Sequence, residues 1–558
     1  MSTEPDRSTQ PDRTDQQFKR IVVTLMSIVT ILSALTAFLQ TASASRSSTA
    51  VRNSQRHALS QVETALQTQQ QQNYDLYVYE QWSSLLAQRL VQLGSSRGIS
   101  VTSPAQHLSD LMQLTANFSP LMQPPYLTDP INGLLDLARY YADNEYQSTY
   151  WRQRREASAA EGEIWGRKAA AYVMVLSLLA VALFLLGLAA TIGGQLRGAF
   201  VLLGGFFAVI GTVWMLFTAI IPVPVRTDLA MQTFARGHRN IVQGEILRGW
   251  DQITAAMPQL LSGIDEMNKA LQLDPNYGDA LNERAFAYLI AAELQVFSGQ
   301  DAHQLLSAAV ADFQATVDLG RTDLTTLWNL GYAEYLLGDY ANALNWTERA
   351  IDRAPQQVGL YLNRAAALLG LGRRSEALTE VDHAVDQAVQ QPISTAYYYF
   401  RQAIYDLTLL SKARPAMALA DLLVYIKEKY VSLRYRHLAP PQAVDTQITN
   451  LRFGSELNTN NDVLNFATTF PARTEKVFVA FDYAALPVGG EIDALVYRND
   501  REDDTLSSVG VTNLSGTGSA WLQIITPFIN AGGLTSGHYR VDIYVAGKFL
   551  ASAEFDIQ

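Results

Sequence analysis

The 558-residue chain contains no cysteine. Disulfides, thiolate nucleophiles, cysteine-ligated zinc and iron–sulfur clusters are therefore excluded. Histidine is scarce as well. Its seven copies (His57, His107, His238, His303, His383, His437 and His538) are spread about one to a region. No His-Glu-x-x-His pair, no Gly-x-x-x-x-Gly-Lys-Ser/Thr phosphate loop and no Gly-x-Ser-x-Gly nucleophile elbow occurs. Positive charge is in deficit: 42 Lys and Arg stand against 53 Asp and Glu, a formal net charge of −11. That balance argues against nonspecific nucleic-acid binding, which is driven by basic residues. The expectation is a protein with no catalytic activity, no cofactor and no metal.

Charge is also missing locally. None appears between Arg20 and Arg46. Residues 21–44, 169–192 and 198–225 are each apolar over about the 20 residues that a bilayer-crossing helix needs. They are expected to be transmembrane helices behind a polar N-tail at residues 1–20. The first stretch is too apolar for too long to suit a cleaved signal peptide, its main alternative. A buried helix pair is the alternative for the other two. Gly194 and Gly198 are expected to let those two helices approach closely. Three crossings place the termini on opposite sides. Near the spans, the side of the N-tail and the short hairpin holds five Lys and Arg, and the other side holds eleven. Positive residues favour the cytoplasm, so the large domains lean to that side, although a long loop weakens the rule. The spans carry no charge that would mark an ion path.

Residues 45–168 read as a helical stalk. Tyr74, Tyr77, Trp82, Leu85, Leu86, Leu90 and Leu93 recur at three- and four-residue steps, and Gly94-Ser95-Ser96 ends the run. Pro120, Pro124, Pro125 and Pro130 punctuate a loop. A second helix is expected from near Ile131, through Tyr140, Tyr141, Tyr146, Tyr150 and Trp151, into the second span. The aromatic residues suit a seam between two long helices. A ligand pocket at Trp82, Tyr146, Tyr150 and Trp151 is the alternative.

Further along, one pattern repeats. Leu327, Gly331, Gly338, Ala343 and Ala350 are followed 34 residues later by Tyr361, Ala365, Gly372, Ala377 and Ala384. Large residues fall on large and small on small. A fixed period of this length marks stacked helical hairpins. Gly338 with Asp339 suits the turn inside a hairpin, and Pro355 blocks continuation of its second helix.

This spacing resembles the tetratricopeptide repeat (TPR) family. The clearest copy carries Leu327, Leu330, Gly331, Ala343, Ala350 and Pro355, and the next carries Tyr361, Ala365, Ala377 and Ala384, with Pro392 later. Leu281, Ala285, Tyr288, Ala309 and Phe313 mark a third copy, interrupted by about a dozen extra residues around Phe297-Ser298-Gly299-Gln300. An earlier hairpin would end at Ala270 and Pro275, and residues 395–430 read as a degenerate closing hairpin. The resemblance implies an α-solenoid over residues 230–432. It also implies a concave face built from the first helices: Asn282, Phe286 and Leu289, then Thr325, Trp328, Tyr332 and Tyr335, then Gly359, Leu362, Ala366 and Leu369. Such a face would hold an unidentified protein or peptide. It lacks the lysine, asparagine and arginine set with which some relatives clamp a C-terminal carboxylate. His383 is expected on a helix surface.

After Pro440-Pro441 the helical period gives way to alternation. Val477, Val479, Phe481 and Tyr483 alternate as a half-buried strand does, and so do Tyr539, Val541, Ile543 and Val545. Ala546-Gly547 offers a turn into Phe549, Ala551, Ala553, Phe555 and Ile557. Ile448–Phe453, Ile492–Arg498 and Ala520–Ile525 are further strands. The set predicts a β-sandwich over residues 445–558, and its closing hairpin is similar to that of bacterial immunoglobulin-like modules. Trp521 is expected in its core. The acidic run from Asn499 to Asp504 lacks the spacing of a calcium loop and is expected to be a solvated turn.

The fold class is thus a multidomain membrane protein: three transmembrane helices with a helical stalk, a TPR α-solenoid and a C-terminal all-β sandwich. The expected function is a scaffold in the bacterial cell membrane, in contact with the lipid bilayer and binding another protein. A sensory or transport subunit with a responsive stalk, and an envelope-assembly factor with its repeats outside the cytoplasm, are the alternatives.

Overall fold

A computed structural model describes residues 13–95, 114, 116–129, 134–192, 196–223, 225–250, 252–391, 393–413, 419–434, 445–458, 462–472, 474, 476–487, 491–503, 506, 508–511, 514–525, 534–545 and 547–558. The first twelve residues of the N-tail, and Pro130, Ile131, Gly194, Pro392, Pro440, Pro441, Asp504 and Ala546, lie outside the described residues. The chain forms two compact units. One comprises residues 1–239 with 272–275, and the other comprises residues 240–271 with 276–558.

In the first unit, helix α1 (Arg13–Ser95) runs unbroken for 83 residues. Neither proline nor glycine occurs between Arg13 and Gly94, so nothing breaks the backbone ladder. The first apolar stretch and the first stalk helix are therefore one rod. After a 3-10 turn at Pro120–Met122 and the short pair β1 (Leu127–Asp129) and β2 (Leu134–Leu135), helix α2 (Leu137–Thr191) does the same for the return. The Asp136 side chain caps α2, accepting from Arg139 N at 3.0 Å. Helix α3 (Leu196–Ile220) follows.

Among the described residues, three helices are long and apolar enough to cross a membrane. Val22, Val29, Val175, Leu179 and Met215 form their shared core. Phe38, Phe184, Leu202 and Ile220 point outward, each more than half exposed. The glycines that join α2 to α3 differ from those expected. Nothing lies within 4 Å of a side chain placed at Gly198, whereas one at Gly204 would meet Ala182 O at 3.1 Å and one at Gly211 would meet Leu179 at 3.2 Å. Two turns of helix separate the latter pair and put both on one face.

The stalk aromatics pack between helices. Trp82 is buried with Val78 and Met122. Trp151 stacks on His57 at 5.6 Å, and Tyr150 donates to Asp228 at 2.7 Å. Tyr146 is half-buried. Buried Asp75 on α1 accepts hydrogen bonds from Ser119 at 2.7 Å and from Tyr140 at 2.5 Å, tying the loop and α2 to α1.

Helix α4 (Asp228–Gly249) crosses from the first unit into the second. Helices α5 (Ile253–Leu273), α6 (Gly278–Phe297), α7 (His303–Asp318), α8 (Leu324–Leu337), α9 (Tyr340–Arg353), α10 (Val358–Gly370), α11 (Arg374–Ala388), α12 (Ile393–Ala413) and α13 (Ala420–Arg434) follow. They pair as successive hairpins, so the structure contains TPR-like helical repeats. The small residues sit where helices cross. Ala343, Ala350, Ala365, Ala377 and Ala384 are buried, as are Leu327 and Leu330. A side chain at Gly331 would meet Thr347 Oγ1 at 2.8 Å. Gly338 ends α8 at φ 96°, and the Asp339 side chain caps α9 through Asn342 N at 3.1 Å. Pro355 follows the end of α9, and its carbonyl accepts the Tyr361 hydroxyl at 2.6 Å. The dozen extra residues of the third copy do not all form a loop. About half continue the helix, so α6 has 20 residues where α8 has 14.

The C-terminal strands are β3 (Gln447–Gly454), β4 (Glu456–Leu457), β5 (Val463–Leu464), β6 (Thr469–Phe470), β7 (Lys476–Leu486), β8 (Glu491–Arg498), β9 (Arg501–Glu502), β10 (Ser508–Val511), β11 (Gly516–Ile525), β12 (Gly537–Val545) and β13 (Lys548–Ile557). One sheet has the order β10-β8-β12-β13-β6 and the other β11-β7-β3. Val479 and Phe481 from one sheet and Val496, Val541, Ile543 and Phe555 from the other share one core.

Four expectations fail here, and in each an outer face is covered. Strand β7 is buried on both faces, because Phe478 and Ala480 pack with Val463 and Trp521 outside the main core. Trp521 accordingly belongs to that satellite cluster and is only half-buried. Strand β12 is buried on both faces because α13 covers its polar side. Lys427 of α13 reaches Asp542 of β12 at 2.6 Å, and both side chains are almost wholly buried. The turn expected to be solvated is tied down too, since Asp500 pairs with Lys412 at 2.9 Å and Arg540 at 2.8 Å.

Candidate functional site

The first helices of successive hairpins line a groove in the second unit, with a cavity of about 230 Å³. Phe286, Leu289 and Glu293 come from α6, Trp328, Asn329 and Tyr332 from α8, and Gly359, Leu362 and Asn363 from α10. Helix α12 closes the far wall with Tyr398, Tyr399, Gln402 and Asp406, and α4 adds Glu245 and Arg248. An inner recess reaches Tyr335 and Ala366.

The wall is aromatic by construction. Trp328 lies against Tyr399 at a ring separation of 5.7 Å, and Tyr399 meets Tyr398 at 5.3 Å. Gly359 makes this possible, for a Cβ there would stand 2.5 Å from the indole of Trp328. At the inner recess, Phe297 of α6 meets Tyr405 of α12 edge-on at 6.3 Å.

The floor is charged. Arg248 is bonded to Glu293, whose other oxygen accepts the Tyr332 hydroxyl at 3.2 Å. The Glu293 charge holds the Arg248 guanidinium above its usual range. Asp406 accepts from Gln402 Nε2 at 2.7 Å. Burial, and then the neighbouring Glu293 charge, push the Asp406 carboxyl well up, while Arg248 and Arg501 pull it partly back. Burial also raises the Tyr332 phenol, which therefore stays a donor.

Seven of the residues expected on the concave face reach the groove or its recess: Phe286, Leu289, Trp328, Tyr332, Tyr335, Leu362 and Ala366. Gly359 joins them. Three line neither. Asn282 is held by Thr326 at 2.9 Å, Thr325 is exposed, and Leu369 packs on the helical core. His383 lies on a helix surface, about half exposed.

The face, expected to be apolar and aromatic, also carries polar groups. Asn329 and Asn363, 34 residues apart, both line the groove with Arg248. Arg248 is already neutralised by Glu293, so it is no free clamp for a carboxylate. The sequence did hold a signal for the floor, since Glu293 and Asp406 are single acids inside long apolar helical runs. Among the described residues no cluster of ligands suited to a metal occurs.

No protein-family model and no curated protein matches the chain. Among solved structures it is similar to MamA, at 16% identity and a TM-score of 0.24, over 35% of this chain and 95% of that one. It is similar to YrrB, described as a TPR protein with an unusual peptide-binding site, at 15% identity and a TM-score of 0.23, over 36% and 87%. It is also similar to the Pseudomonas fluorescens alkylpurine DNA glycosylase AlkC, at 12% identity and a TM-score of 0.20, over 59% and 97%. At such values the likeness carries no argument about activity or partner, and the repeats stand on the helices described above.

Proposed function

We propose that the chain is a non-catalytic scaffold, anchored in a membrane by its three apolar helices, that holds an extended segment of another protein in the α6–α8–α10–α12 groove. One observation carries the reading. Asn329 and Asn363 recur one period apart on the groove wall, and neither side-chain amide bonds to another described residue. Each offers a donor and an acceptor, the pair that an extended peptide backbone needs. The aromatic wall supplies apolar contact at low entropic cost. The C-terminal sheets, with an immunoglobulin-like closing hairpin, brace the last helical pair and offer a second contact surface.

Trp328→Ala with Tyr332→Ala is expected to lower recovery of a defined co-purified partner at least tenfold, from membranes that retain the protein after a carbonate wash. A single truncated anchor of this kind costs about 2 kcal/mol or more of binding. Equal recovery with the double variant removes the groove from the account, and release by carbonate removes the anchor.

A further inference from the structure

We propose that the deep end of the groove receives the cationic side chain of a lysine or arginine carried by the bound segment. This rests on the groove reading and names what it selects.

The pocket is walled by Phe286, Trp328, Tyr332, Tyr398 and Tyr399. Aromatic faces carry partial negative charge and attract a cation within about 6 Å. The charged groups lining it are Glu245, Glu293 and Asp406 against a single Arg248. Glu293 is satisfied by Arg248 and Tyr332. Asp406 differs. Among the described residues it makes no ion pair, and its hydrogen-bond donor is the neutral amide of Gln402. Arg501, the other guanidinium that acts on Asp406, lies over Tyr405 at 4.5 Å and donates to Gly249 O at 2.7 Å. An acid with no bonded cation among the described residues therefore stands beside an aromatic wall, inside a cavity where burial disfavours its charged form until a cation is supplied.

A carboxylate guest would meet net negative charge there, and a neutral apolar guest would leave Asp406 uncompensated. A lysine or arginine answers both conditions. Its methylene stem can lie along Leu289, Ile290 and Leu362 while its head reaches Asp406. The neighbouring asparagines would hold the backbone on either side.

The test is selection of random dodecapeptides on the full chain in nanodiscs. Retained peptides are those lost on the Trp328→Ala variant. They are expected to share one Lys or Arg among apolar positions, and its replacement by norleucine should weaken binding about tenfold or more. The same loss is expected with wild-type peptide on Asp406→Asn. Glu245→Gln, a change at the exposed rim that leaves the core untouched, should give a smaller weakening that fades in salt. Trp328-dependent peptides with no basic preference, or with an acidic one, overturn this proposal and leave the groove standing. No Trp328-dependent peptide at all overturns the groove reading itself.

Discussion

Lys427→Met is expected to cost about 3–5 kcal/mol of stability, the cost of breaking a buried ion pair from one side. Lys427 and Asp542 meet at 2.6 Å with side chains 9% and 1% exposed. Asp542 also takes the Ser552 hydroxyl at 2.7 Å and lies 3.3 Å from the Arg540 guanidinium. Burial lowers the Lys427 amine from its usual value even with that partner beside it, as a dry seam between α13 and β12 requires. With the lysine gone, Asp542 loses its closest counterion and keeps only Arg540, which it shares with Asp500. Lys427→Met with Asp542→Leu removes both charges and is expected to recover most of the loss. Urea unfolding followed by hydrogen exchange on β12 and α13 checks it. Equal stability of the single variant and the wild type would show that this seam opens to solvent.

Arg248→Met is expected to cost a similar 3–5 kcal/mol at neutral pH, for a related reason. Its guanidinium is bonded to Glu293 and lies close enough to lower the Asp406 pKa. Without it two buried acids face each other with no bonded cation. The sign of the pH dependence follows. The folded-state pKa of Asp406 is already raised above its unfolded value and would rise further. Such a group stabilises fully below the unfolded pKa, and that contribution is lost as pH rises through the folded pKa. The variant should therefore be most stable in mild acid and weaken toward neutrality. Adding Asp406→Asn should flatten the profile and return part of the stability. Thermal denaturation from pH 4 to 8 measures it, and a variant that weakens toward acid would refute the assignment.

The helical hairpins were legible because close crossing demands small residues at fixed places, and Gly331, Ala343, Ala350, Ala365 and Ala377 obey that period. The run of α2 from the stalk into the second apolar stretch was legible because a ladder without proline has nothing to end it, whereas the continuity of α1 was not foreseen. What covers an outer face was not legible. Alternation in β12 separates Val541 and Ile543 from Arg540, Asp542 and Tyr544, but it cannot say that α13 lies on the second set. The groove was half legible. Phe286, Trp328 and Tyr332 follow from the repeat, whereas Tyr398, Tyr399 and Asp406 come from a helix whose repeat pattern has decayed. The floor depends on contacts between residues as distant as Arg248, Glu293 and Asp406, and no local period encodes those.

The central claim is that a partner lies in the groove, and a photo-reactive phenylalanine placed there reads it directly. Asn329 faces the groove, and Glu348 lies exposed on α9, a second helix of the repeat. Irradiated in intact membranes, the probe at position 329 should yield one defined protein adduct, lost in the Trp328→Ala, Tyr332→Ala background, while the probe at 348 should not. No adduct at 329, or the same adduct from both positions, would contradict the account.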